Sequence, residues 1–181
     1  MQSIEEHPRF AQQAVVETLA GLDSWPDRYR YIIDQARSLP RFPAAHRCAR
    51  YRVNTCVSST WLRAEGTAAA MHFSGASDCP MDAGLLALLL RVYSGFSGEV
   101  IVATPPDFLA RSGLSERLTA HRLVGVYALA ERIRGYALDQ LWREGAPVAA
   151  RGRTPLGMVQ QSNAFRGLPI GRHVSVRPES F

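Results

Sequence analysis

The sequence predicts a fold of the α+β kind within the broad α/β class: a small antiparallel sheet packed with helices. Three observations carry this. Two strand-like segments, 57–65 and 68–74, meet at Gly66-Thr67 and suit an antiparallel hairpin. The run from Met81 or Asp82 to Tyr93 is too apolar for a surface helix and is expected to cross the sheet as a central element. A third segment, capped by Thr119 and running past Tyr136 to about Trp142, repeats Leu123, Val126, Tyr127, Ala130 and Ile133 at helical spacing, which marks its buried face.

The remaining elements follow from local signals. Residues 9–20 form a short helix with Phe10, Ala14, Val15, Thr18 and Leu19 on one side, ended by Gly21. A second helix is capped by Ser24, takes Pro26 in its first turn, and carries Tyr29, Ile32, Ile33, Ala36 and Leu39 inward before Pro40 stops it. In the hairpin, Trp61 and Phe73 are expected to supply bulk to one sheet face. Gly75 to Pro80 reads as a turn, and Pro105-Pro106-Asp107 starts a short helix through Ala110. Beyond Gly145, Gly, Pro and Arg recur without periodicity. We therefore expect a domain over 1–145 and a C-terminal extension over 146–181 that is flexible or loosely packed.

At 181 residues, 46% hydrophobic and 20% charged, the chain has the profile of an ordinary soluble domain. The apolar run Leu85 to Leu90 is far too short to span a bilayer, and the first residues lack a basic end followed by an apolar stretch. A cytoplasmic location with no membrane partner is expected. All 21 basic side chains are Arg, which excludes Schiff-base or phosphate-loop lysine chemistry, so the chain cannot anchor its own pyridoxal phosphate. The net charge of +5 does not gather on one helix face or alternate with aromatics, so no nucleic-acid partner is expected.

The chemistry centres on a thiol. Cys56 sits where polar loop residues pass into a strand-like segment, with Arg47, Arg50, Arg52 and Arg63 nearby to favour the thiolate. A Cys-dependent hydrolase would need an oriented base beside it, and the central histidines, His72 and His121, read as surface or structural residues. Cys48, Cys56 and Cys79 are an odd number with no close pair, which fits neither a disulfide framework nor a zinc site. No cofactor and no metal are expected.

Four landmarks then fall in order. Trp25 leads into Arg28-Tyr29-Arg30-Tyr31-Ile32-Ile33; Cys56 is followed by Ser58, Ser59 and Trp61-Leu62; Phe73-Ser74-Gly75-Ala76-Ser77-Asp78 precedes Gly84 to Leu90 and Tyr93-Ser94-Gly95; and Leu114 to Leu118 precedes Arg122, Gly125 and Ala130 to Arg134. From about Trp25 to Tyr136 the chain resembles the SufE family of sulfur acceptors, which take persulfide sulfur from a pyridoxal-phosphate cysteine desulfurase for iron–sulfur cluster assembly. The resemblance implies a SufE/IscU-like fold, a SufS-like cysteine desulfurase as partner, and a downstream sulfur acceptor or cluster scaffold. It implies Cys56 as the persulfide acceptor, supported by Ser58, Ser59, Asp78 and Arg122. On this reading the protein is a co-substrate that activates the desulfurase rather than an enzyme by itself. It also turns Glu99 to Val102, strand-like by propensity, into a short helical turn.

Thr55 and Val57 stand where the family usually has Gly and Gln, and Cys79 where a small residue is usual. Delivery of sulfur to a specialised metabolite or cofactor pathway is the alternative within the family, and an iron–sulfur or metal-binding scaffold the alternative outside it. Cys79 is a candidate resolving thiol for Cys56, or a small packing residue.

Overall fold

Residues 7–54 and 58–145 are described by the computed structural model, and the chain enters them through α1 (Pro8–Ala20). His7 caps this helix by accepting the Arg9 N–H at Nδ1, Pro8 takes the first position, and the Gly21 N–H closes it onto Glu17 O. The buried stripe is Pro8, Gln12, Val15 and Leu19, so it is rotated from the expected one: Phe10 and Thr18 are exposed. The rotation centres on Gln12, only 2% exposed. Its Nε2 donates to Pro105 O at 3.0 Å and its Oε1 accepts the Phe108 N–H at 2.8 Å. A buried amide bonded at both its nitrogen and its oxygen can replace an apolar residue in a core, and periodicity cannot see it.

The second helix, α2 (Trp25–Gln35), starts as expected, with the Ser24 Oγ accepting the Asp27 N–H. It tightens into a 3-10 turn, Ala36–Ser38, before Pro40. Ile32 is fully buried, whereas Ile33 points outward.

Strands β1 (Thr60–Thr67) and β2 (Ala70–Ser77) form the antiparallel hairpin, with Trp61 opposite Ala76 and Ala64 opposite Phe73. That register corrects three expectations. Trp61 and Phe73 lie on opposite faces, because side chains alternate along a strand and directly paired residues share a side. Phe73 is buried and Trp61 only half-buried. The connection is Ala68-Ala69 rather than Gly66-Thr67, and Gly75 to Ser77 extends β2 instead of turning. The cause is tertiary: both carboxylate oxygens of Glu144 accept the Ala68 N–H, and Ala68 O accepts the Gly98 N–H at 2.8 Å.

The apolar helix α3 (Pro80–Tyr93) is central as expected, and Leu86, Leu88 and Leu89 are completely buried. It packs between α2 and the inner sheet face. Close approach requires glycine on both sides. A Cβ at Gly84 would lie 2.0 Å from Ile32 O, and one at Gly75 would lie 2.6 Å from Trp61 O and 2.8 Å from a Leu86 methyl. The loop after α3 covers the β2 edge: Met71 N–H donates to Phe96 O, Gly95 N–H to Met71 O, and Phe73 N–H to Ser94 Oγ. Glu99 to Val102 lies within α4 (Gly98–Ala103), capped by Ser97, so the helical expectation prevails over strand propensity.

Short helices α5 (Phe108–Arg111) and α6 (Leu114–Arg117) lead to α7 (Ala120–Arg143). Thr119 occupies the N-cap position of α7 without capping by its side chain; its Oγ1 pairs with His121 Nε2. The buried face includes Val126, Leu129, Ala130 and Ile133, while Tyr127 is 40% exposed. Tyr93 is buried and donates to Thr104 O at 2.9 Å; burial, with Asp107 and Glu131 adding, pushes its phenol above the usual range and keeps it a donor. The extension over 146–181 lies outside the described residues.

Gly84→Ala tests the α2–α3 approach. Alanine favours a helix by about 1 kcal/mol over glycine, yet overpacking against backbone costs roughly 1–3 kcal/mol or more. We expect a net loss of about 1–2 kcal/mol, read as a lower denaturant midpoint with an unchanged slope. A more stable variant would show that the helices can separate freely.

Candidate functional site

Asn54 and Ser58 bracket residues 55–57, which include Cys56 and lie outside the described residues. Both flanks are held. On the upstream side the Val53 N–H donates to Thr60 O at 2.9 Å, and Arg52 bridges to Trp61 across an isolated antiparallel pair. On the downstream side the Ser58 Oγ donates to Asp82 Oδ2 in the first turn of α3. A hydroxyl chain continues inward, from Ser58 Oγ to Thr60 Oγ1 at 3.5 Å and from Thr60 Oγ1 to Ser77 Oγ at 2.9 Å. Thr60 is fully buried, so its hydroxyl needs this partner. The three-residue step carrying the thiol therefore springs from two anchored ends.

The residues expected to support the thiol divide into two groups. Ser58 and Arg122 come together through Asp82: Arg122 Nε lies 3.8 Å from Asp82 Oδ1, while Ser58 occupies the other carboxylate oxygen. Ser59 and Asp78 meet separately, the Asp78 backbone N–H donating to Ser59 O at 3.1 Å, and Arg52 Nη2 donates to the Ser59 Oγ at 3.3 Å. Cys79 is the N-cap residue of α3, half-buried against the core, with its N–H donating to Ser77 Oγ at 3.3 Å. Any approach of Cys79 to Cys56 lies outside the described residues.

Sequence reasoning missed Asp82, Thr60 and Ser77 as site residues. Asp82 had a detectable signal, an acid in the first turn of an otherwise apolar helix, where it also suits the helix dipole. Of the four arginines expected to favour the thiolate, Arg52 reaches a flank of the segment. Arg47 stacks over Trp61 at 5.7 Å, Arg50 over Tyr51 at 5.5 Å, and Arg63 pairs with Glu65. His72 is exposed on the outer sheet face and His121 on α7. Beside Asp82 a small apolar cleft opens between Leu85 of α3 and Arg122, Val126 and Leu129 of α7. Among the described residues no three His, Cys, Asp or Glu side chains group as a metal site.

Comparisons with known proteins agree with this architecture. Residues 13–137 match the SufE family, described as a Fe-S metabolism associated domain. An uncharacterized SufE-like protein of Rhizobium meliloti (strain 1021) is 33% identical over 132 residues, covering 70% of this chain and 94% of the relative. The sulfur acceptor protein CsdE of Escherichia coli (strain K12) is 33% identical over 136 residues, covering 70% of this chain and 90% of CsdE. In fold, the solution structure of a hypothetical protein from Thermus thermophilus superposes with a TM-score of 0.62 at 22% identity, covering 73% of this chain and 96% of that one. With a hairpin backed by an apolar helix, a thiol step anchored at both ends, and this match across the domain, the chain belongs to the SufE family.

Proposed function

We propose that this protein is a cytoplasmic sulfur carrier that accepts persulfide sulfur on Cys56 from a SufS-like cysteine desulfurase and passes it on for iron–sulfur cluster assembly. The observation that carries the reading is the anchoring of both flanks of the Cys56 segment, by Val53 to Thr60 and by Ser58 to Asp82. Membership of the SufE family and the likeness to a protein named as a sulfur acceptor support it. No helix among the described residues is long and apolar enough to cross a membrane.

The chemistry needs little machinery. The Cys56 thiolate attacks the outer sulfur of the donor's cysteine persulfide, a new S–S bond forms at Cys56, and the donor's S–S bond breaks. The donor cysteine leaves as a thiolate and Cys56 carries the persulfide, so no external oxidant or reductant is consumed. Asp82 acts at a distance from the sulfur. It holds Ser58, the downstream flank of the acceptor segment, and by pairing with Arg122 it places a cation on the rim for a docking partner. Arg122 is the proposed contact for the desulfurase. The half-buried position of Cys79 supports packing as its role.

Two measurements test the reading. Added to its cognate desulfurase, the protein is expected to raise cysteine-dependent sulfide release, and Cys56→Ser to abolish the effect. Stimulation by Cys56→Ser equal to the wild type, with loss in Cys79→Ser, would overturn the assignment. Asp82→Ala removes a charged acceptor worth about 1 kcal/mol or more when partly exposed. Stimulation below saturation should therefore fall about fivefold, with the thermal transition lowered by only about 2–4 °C; undiminished stimulation would remove the Ser58 tether from the mechanism.

A further inference from the structure

A second concave site lies away from Asp82, between the outer edge of β1 and the C-terminal half of α7. It is a cleft of about 300 Å³ into which Arg50, Arg63, Arg132 and Arg143 converge, with Glu65 and Asp139 as the acids among its lining residues. Glu65 is engaged by Arg63. Among the described residues, none of Arg50, Arg132 and Arg143 has a carboxylate partner within ion-pair distance. Guanidinium groups gathered in this way repel one another, and an anion between them relieves the repulsion.

Arg132 is pre-positioned for such a ligand. Its guanidinium lies 4.8 Å from the Tyr136 ring centroid, its Nη2 donates to Arg50 O at 3.5 Å and to the Tyr136 hydroxyl at 3.4 Å, and Tyr136 in turn donates to Leu62 O. Its Nε is shielded from solvent and has no acceptor, which is costly for a charged donor. The sheet edge adds a further donor. Thr60 O and Leu62 O both face outward from β1, to Val53 N–H and Tyr136 Oη, so the same alternation turns the Ala64 amide toward the cleft, which Ala64 lines.

We propose that this cleft binds a small oxyanion carrying two or more negative charges, of the phosphate or polycarboxylate class. Its volume is at the lower end of the range for small-ligand sites, about 300–1,000 Å³. Forked guanidinium donors match the paired oxygens of both groups. The site is additional to sulfur acceptance and does not depend on it.

Calorimetric titration of the full-length protein with pyrophosphate and with citrate tests the proposal. The expected result is saturable binding with Kd below about 1 mM for at least one of them, weakened about tenfold by Arg132→Met and by Arg143→Met but not by Arg9→Met on α1. The tighter ligand identifies the phosphate or the carboxylate class. Arg143 is exposed, so its variant remains informative if Arg132→Met folds poorly. The proposal is overturned by absence of saturation with both ligands, or by equal weakening in Arg9→Met, which would indicate general attraction to a basic protein. It is also overturned by tighter binding of an acidic hexapeptide through the same arginines, which would assign the cleft to a protein segment.

Discussion

A two-stranded ribbon buries too little surface to be stable alone, so the whole structure depends on α3 covering the inner face of the hairpin. Leu85, Leu86, Leu88 and Leu89 are each at most 2% exposed, and full burial of a leucine contributes roughly 1.5–3 kcal/mol. This contact is close because Gly75 removes a side chain from the sheet where Leu86 packs, and Gly84 lets the other side of α3 approach Ile32 of α2. The outer helices then add to a centre already formed. Gln12 ties α1 to the segment between α4 and α5, and Glu144 ties the end of α7 to the hairpin turn.

The same helix supplies the rigid part of the candidate site. Asp82 projects from the first turn of α3, whose other turns are locked in the core, so its carboxylate holds a fixed place toward Ser58 and Arg122. The hydroxyls of Thr60 and Ser77 extend that fixed region into the hairpin. A transferable sulfur needs a thiol presented to a second protein yet restrained enough to be met in one arrangement. On the proposed reading, the anchored flanks at Val53 and Ser58 serve the second of these demands.

The elements with strong local signals were legible. Ser24 and Pro26 at the start of α2, Gly21 at the end of α1, and the continuous apolar run of α3 each act through neighbouring backbone or composition, and each appears where the residues indicate. The faces of amphipathic helices were less legible. Phe10, Ile33 and Tyr127 fit an apolar stripe by spacing but face outward, because the position of a neighbouring element decides which flank of a stripe is covered. For Glu99 to Val102, β-branched propensity favoured a strand. The chain forms a helix there because Ser97 caps it and α7 packs against it.

By itself the sequence determined the α+β class, the order of the main elements and the family, since these rest on composition, capping residues and short motifs. The tertiary structure alone decided the hairpin turn at Ala68-Ala69, the separation of Trp61 from Phe73, and the joining of Ser58 to Arg122 through Asp82. It also brought Arg50, Arg63, Arg132 and Arg143 to one cleft from three separate stretches of chain. Each of these depends on groups far apart in sequence approaching within a few ångströms, and no local pattern of residues encodes such a distance.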